Sequence, residues 1–305
     1  MRMFQRVSAV ALAVAVTVGL SGLAGAAATV VNLNTAANFA VLGATTVTNT
    51  GSSLITGDLG VSPGTAVSGF PPGVVGGGSI HSNDTAAGQA QSDLTAAYAS
   101  ALSQSCDTNL TGQDLGSLAP LNSGVYCYTS SAQLTGTLVL DGQLNPNAVF
   151  IFKINSSLTT ATASSVVLIN GAQSCNVFWQ IGASATLGSS TAFVGTVMAQ
   201  SSITLNTSAT VNGRVLARTG AVTLDTNFVT KAVCLPATPT PTPTPGGSVT
   251  PTPSGTATAS PTATPGLPNV GAGTGEKSTW IVAALVGIVT VSLLFAAVKR
   301  KRLLS

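Results

Sequence analysis

Charge is the scarcest commodity in this 305-residue chain, with Asp, Glu, Lys and Arg together making only 6% of it. Between Thr29 and Leu235 there is no glutamate, His81 is the single histidine, and the aspartates stand one at a time at 58, 84, 93, 107, 114, 141 and 225. An enzyme needs groups that titrate or attack, and no GxSxG or HExxH pattern supplies them. Gly76-Gly77-Gly78 has no Walker lysine after it, which argues against a phosphate loop. The reading is therefore non-enzymatic, with no cofactor, no metal and no small-molecule substrate, and His81 as a surface-loop residue. The formal charge of +3 includes Arg2, Arg6 and four cations of the C-terminal tail. Residues 29 to 235 keep only Lys153, Arg214, Arg218 and Lys231 against seven aspartates, so the charge gives no support to nucleic-acid binding.

Four cysteines remain: Cys106, Cys127, Cys175 and Cys234. No two have zinc-ligand spacing, and an even count in an exported chain suggests two disulfides. Three pairings are open; the expected one is Cys106 with Cys127 and Cys175 with Cys234.

The ends read as addresses rather than fold. Residues 1–28 hold two arginines, an apolar run and small residues suited to a signal peptidase. Residues 235–278 form a Thr/Pro-rich stalk, which as a polyproline-like spacer rises ~3.1 Å per residue. Residues 279–298 are the expected transmembrane helix, since Trp280 to Val298 carries no charge and at ~1.5 Å per residue spans ~28 Å. Lys299, Arg300, Lys301 and Arg302 open a basic tail, 299–305, which places everything before the span outside the cell. Just upstream, Leu267, Pro268, Asn269, Val270 and Gly271 resemble a sortase signal of Gram-positive bacteria, except that Val270 stands where the threonine should. Wall attachment and a plain membrane anchor explain these residues equally.

The folded part, 29–234, repeats itself. VYCY at 125, VFIF at 149, VFWQ at 177, VMAQ at 197, VLAR at 215 and VCLP at 233 suggest one column of a drifting repeat, with Val177, Val197 and Val215 superposed, and likewise Phe178, Met198 and Leu216. Each unit holds short Val/Ile/Phe/Thr runs between Gly, Asn and Ser. None can close on itself, and stacking them gives a parallel β-solenoid. Within SLTTAT, SATLGS, SITLNT and AVTLDT the alternation turns the aliphatic residues inward. Thr159, Thr186, Thr204 and Thr223 then form an outward ladder rising ~4.8 Å per rung. Asn206, Thr207 and Thr210 join the candidate surface. Thr85 to Gln104 breaks the pattern as a helix with Ala90, Leu94, Ala97, Ala101 and Leu102 on one face.

The stretches NLNTAANFAVLGATTVTNTGSSLITGDLGVSPG at 32 to 64, GFPPG at 69 to 73, LNSGVYCY at 121 to 128, TGTLVLDGQLNPNAVFIFKI at 135 to 154 and ATVNGRVLARTGAVTLD at 209 to 225 resemble the bacterial and fungal ice-binding-protein-like domain. The resemblance implies a mainly β fold: a right-handed discontinuous parallel β-solenoid, triangular in section, with one long α-helix alongside. Its N-terminal strands and later coils would meet in the middle of the stack. It also implies an ice crystal surface as ligand, through a flat helix-free face of Thr, Ser and small residues. Pro63 and Gly64 of LGVSPG match the family as turn-shaping residues. The family's short Thr-small-x-Thr/Asn repeat is not reproduced in register; Thr207-Ser208-Ala209-Thr210 is the nearest instance. A surface adhesin binding a glycan or protein would use the same face, and a threonine column also suits strand formation by itself.

Overall fold

A computed structural model describes residues 27–236. The expected signal segment, most of the stalk, the LPNVG motif, the apolar span and the tail lie outside the described residues. Among the described residues no helix is long and apolar enough to cross a membrane.

The chain lays down short strands in threes, one per wall of a three-sided coil. The N-terminal coils are β1 (Phe39–Gly43), β2 (Thr46–Thr50), β3 (Leu54–Thr56), then β4 (Asp58–Val61), β5 (Ala66–Ser68), β6 (Val74–Gly76) and a single β7 (Ile80–Ser82). Helix α1 (Thr85–Ser103) follows, then β8 (Thr108–Asn109). The later coils are β9 (Gly124–Tyr128), β10 (Ala132–Leu134), β11 (Thr137–Asp141); β12 (Phe150–Ile154), β13 (Leu158–Thr160), β14 (Ser165–Ile169); β15 (Val177–Ile181), β16 (Ala185–Leu187), β17 (Ala192–Ala199), β18 (Ile203–Leu205), β19 (Thr210–Ala217), β20 (Val222–Asp225) and β21 (Phe228–Thr230).

Wall A runs β7-β4-β1-β19-β17-β15-β12-β9-β8, wall B runs β10-β13-β16-β18-β20-β2-β5, and wall C runs β11-β14-β17-β19-β21-β3-β6. Every named pairing is parallel. The last coil stacks on the first: β19 on β1, β20 on β2, and β21 on β3. The stack is thus discontinuous in sequence, and something must carry the chain from one end to the other. The path from β7 to β8 crosses eight strand spacings, ~38 Å at ~4.8 Å each. Helix α1 supplies ~28 Å at ~1.5 Å per residue, and four extended residues after it add ~13 Å.

Asp84 caps α1, its carboxylate accepting from Ala87 N at 2.9 Å. The helix buries Ala87, and packs Ala90, Leu94, Ala97, Tyr98 and Ala101 against Val125, Ile151, Phe178, Met198 and Leu216 of wall A. Leu102, expected on this face, is 45% exposed. Tyr98 packs in its place, its hydroxyl donating to Ile181 O at 3.2 Å and its ring lying under the Arg218 guanidinium.

Inside the prism Tyr126, Phe152 and Trp179 stack rung on rung, with centroids 5.4 and 4.0 Å apart, and Phe193 leans on Trp179 at 4.8 Å with its ring tilted by 44°. This register corrects the expected columns. Val197 does lie over Val215, and Met198 over Leu216, but Val197 is paired with Trp179 and Met198 with Gln180. Val177 and Phe178 are displaced by two residues, and Val125 likewise meets Ile151 rather than Val149. A slip of two keeps a side chain on its own side of the wall, so alternation cannot detect it, but Val177 is paired with Phe150 rather than Val149, a slip of one that puts Val149 and Val177 on opposite sides. VCLP at 233 is no coil at all, lying after the final strand.

Two glycines make the corner between walls C and A. β17 and β19 bend there, and a Cβ on Gly213 would meet the Gly195 carbonyl oxygen at 1.8 Å, while Gly195 has φ +109°. Gly64 of LGVSPG is similarly fixed, with Thr45 O 1.9 Å from where its Cβ would be.

Candidate ligand-binding wall

Wall A is covered by α1, which leaves B and C open. On wall B the strands expose one central position each, and these stand in register as Gln133, Thr159, Thr186, Thr204, Thr223, Thr48 and Ser68. The residues on either side of each rung point inward. Leu158, Ala185, Leu187, Ile203, Leu205, Val222, Leu224 and Val47 are buried, so the prism core holds the wall flat from behind. Thr48 and Thr223 approach each other directly, their hydroxyls 3.4 Å apart.

Two residues before each rung comes a second column: Ser131, Ser157, Ser184, Ser202, Ala221, Thr46 and Ala66. The ladder bonds Ala132 N to Ser157 O, Leu158 N to Ser184 O, Ala185 N to Ser202 O and Ile203 N to Ala221 O keep it in line. Together the columns form a grid of small hydroxyl and methyl groups, ~4.8 Å apart along the stack and ~6.6 Å along each strand. Neither column contains a charged residue.

The remaining predicted positions lie at the edge. Asn206 and Thr207 are exposed at the corner between walls B and C, after β18. Thr210 begins β19 and pairs with Ala192 and Phe228, which places it on wall C. Thr207 and Thr210 therefore do not join the ladder, because the chain turns between them. The one carboxylate at this rim, Asp225, accepts from the hydroxyls of Thr207 and Thr226, so its charge is already engaged.

Thr48 and Ser68 were missed by reading the later repeats alone. The signal was present in TTVTNT at 45–50, whose Val-Thr pair has the same alternation as Val222-Thr223. Wall C offers a different surface. Its outward residues run Thr137, Ser165, Ala192, Thr210, Phe228, Leu54, Val74, of which the last three are bulky and exposed by 50%, 39% and 54%. It lacks the uniform side-chain height of wall B.

His81 lies in β7, not in a loop. Its Nδ1 is 2.7 Å from Asp84 Oδ2, its Nε2 is 4.0 Å from Asp58 Oδ2, and its ring meets Phe39 edge-on. Two open clefts, of about 740 and 620 Å³, sit off wall B, the first beside Asp107 and Tyr126 and the second beside Arg214 and Lys231. The cysteines are bonded Cys106 to Cys127 and Cys175 to Cys234.

Three carboxylates are held below their ordinary value of 3.8. For Asp84 the causes are the Ala87 amide and then His81. For Asp93 the Thr35 hydroxyl, 2.5 Å away, leads. Burial pushes Asp114 up, but hydrogen bonds from Thr135 and Gly116 more than offset it. A carboxylate with a depressed folded pKa contributes stability that is present above its unfolded value and lost as pH falls through the folded one. Melting temperature should therefore hold near neutrality and fall as pH drops below about 3.8. Asp114→Asn should melt lower at pH 7 and lose less on acidification, which thermal melts from pH 7 to pH 2 would check. Equal acid sensitivity in both proteins would refute this assignment.

Residues 41–230 match the family model described as Ice-binding-like. An "Ice-binding protein" of Nostoc sp. (strain HG1) is 54% identical over 207 residues, covering 68% of this chain and 76% of the relative. One from Flavobacterium frigoris (strain PS1) is 35% identical, covering 66% and 76%. Among solved structures, an ice-binding protein from an Antarctic biological consortium superposes with a TM-score of 0.66 at 43% identity, over 68% of this chain and 94% of that one. Another, from the Antarctic ascomycete Antarctomyces psychrotrophicus, gives 0.65 at 38%, over 67% and 100%.

Proposed function

The chain belongs to the Ice-binding-like family, a family of ice-binding proteins rather than enzymes, and from that membership we propose that wall B is its ice-adsorbing surface. The observation that carries the assignment is the unbroken column from Thr159 through Thr186, Thr204 and Thr223 to Thr48, uncharged and backed by buried aliphatic residues.

Ice is a lattice, and a lattice rewards many weak contacts fixed in advance. Threonine is β-branched and stiff at χ1, so each rung loses little freedom on contact. Its methyl meets the apolar side of an ordered water layer, and its hydroxyl both donates and accepts within it. Repetition multiplies the effect, because after the first rung docks the rest are already at high effective concentration. Lysines or glutamates here would hold their own hydration instead.

We further propose that the domain works at the outside of a bacterial cell, tethered through residues 235–278 to the apolar span 279–298 or to the wall through LPNVG. The export-like residues 1–28, the basic tail and two disulfides support that placement. Tethering favours adhesion to ice, or shaping ice beside the cell, over altering bulk water.

The direct test is partitioning of purified residues 27–236 between a slowly growing ice hemisphere and the remaining liquid. The protein is expected to concentrate in the ice and to inhibit recrystallisation. Exclusion from ice, as for an ordinary soluble protein, would end the proposal.

A further inference from the structure

The last described residues leave the prism along the corner between walls C and A, the edge opposite wall B. Their route is unusual because of the discontinuous stack. β21, the final strand, lies inside wall C, paired with β19 on one side and β3 on the other. With β19 on β1 and β20 on β2, its pairing with β3 joins the C-terminal coils to the N-terminal ones.

After β21 the chain runs back along the corner over earlier coils and is gripped three times. The buried Arg214 guanidinium donates to Ala232 O at 3.1 Å, and also to Ala37 O at 2.9 and 3.0 Å, holding the N-terminal segment beside it. Cys234 is bonded to Cys175, just before β15. The Gln173 side chain grips both sides of Leu235, its Oε1 accepting from Leu235 N at 2.6 Å and its Nε2 donating to Leu235 O at 3.1 Å. The same Nε2 reaches Pro146 O at 2.9 Å, which ties the grip to the preceding coil.

We propose that this corner is a tension clasp: the Cys175–Cys234 bond, backed by Gln173 and Arg214, takes force arriving from the C-terminal segment before it reaches β21. A strand pulled from one end loses its ladder bonds in succession, each weak on its own. Peeling β21 would open wall C where the last coil meets the first, leaving only β19 on β1 and β20 on β2 to hold Thr223 in register with Thr48. With the clasp closed, the pull enters at Cys175, in the coil of β15 and β16, and is spread over pairings on both sides.

The inference rests on the reading of residues after 236 as a tether, so its test is kept independent of ice. Full-length protein in detergent is pulled between a handle on its C-terminal tail and one coupled at the exposed helix residue 92, before and after adding a phosphine reductant. Forced unfolding reports the unfolding barrier, and the force at first yielding should fall about twofold on reduction. Cys175→Ser with Cys234→Ser should yield at the lower force without reductant, and Cys106→Ser with Cys127→Ser at the higher. Unchanged force on reduction, or an equal drop in the Cys106/Cys127 variant, overturns the clasp. Should the Cys175/Cys234 double variant fail to fold, adding the reductant to the Cys106→Ser with Cys127→Ser variant still decides, because among the described residues it leaves only the Cys175–Cys234 bond to break. Failure of the parent protein to enter ice would remove the ice reading alone and leave this result standing.

Discussion

Thr204→Tyr together with Thr223→Tyr lowers ice adsorption at least about tenfold while the domain stays folded. Both side chains project from the middle of wall B, with buried Ile203, Leu205, Val222 and Leu224 on either side of them. Outward substitutions of this kind change stability by only about 0.5 kcal/mol, so far-ultraviolet dichroism and melting temperature should match the parent. A tyrosine ring stands several ångströms above its threonine neighbours. A rigid lattice cannot deform around it, and Thr186 and Thr48 on each side lose contact along with the altered rungs. Thermal hysteresis and ice partitioning measure the effect. As a control, Thr210→Tyr on wall C should leave adsorption close to the parent level. If the wall C variant is the one that abolishes activity, the wrong wall has been assigned.

Trp179→Ala is expected to give the largest loss of stability, about 3–5 kcal/mol, for removing a buried aromatic. Trp179 is fully buried, stacks on Phe152 at 4.0 Å, meets the tilted ring of Phe193 at 4.8 Å, and donates its indole N–H to Val194 O at 2.9 Å. Truncation leaves a large cavity and a carbonyl without its donor. Trp179→Phe separates the two effects, since it keeps most of the stack but orphans the carbonyl, at a cost of about 1–3 kcal/mol. Denaturant midpoints at constant slope would rank parent, Phe variant and Ala variant in that order. An alanine variant within 1 kcal/mol of the parent would show that the aromatic column does not hold the coils together. Adsorption should suffer too, because Trp179 shares its coil with Thr186, and a collapsed rung tilts the grid.

Several elements are legible in the residues because their physics is local. Alternation at a period of two separates Leu205 from Thr204 and Leu224 from Thr223, and burial follows that division. Thr85–Ser103 declares itself through its cap and its Ala/Leu spacing, although spacing alone could not choose between Leu102 and Tyr98 for the last inward place. His81 has one partner close by in the sequence, Asp84 three residues on, whereas Asp58 reaches it only after β4 pairs with β7.

The amino-acid order by itself determined that short parallel strands would stack around an aliphatic interior, and that hydroxyl-bearing residues would face out. These are consequences of side-chain polarity and strand geometry, and each is decided within a few positions. Only the tertiary structure decided which coil lies on which. The pairing of β20 with β2 brings Thr48 against Thr223 across 175 positions, and it turns a C-terminal run of threonines into a column that continues through the N-terminal segment. No local preference encodes that choice. It arises because one long helix carries the chain across the stack, so that the last coil closes on the first.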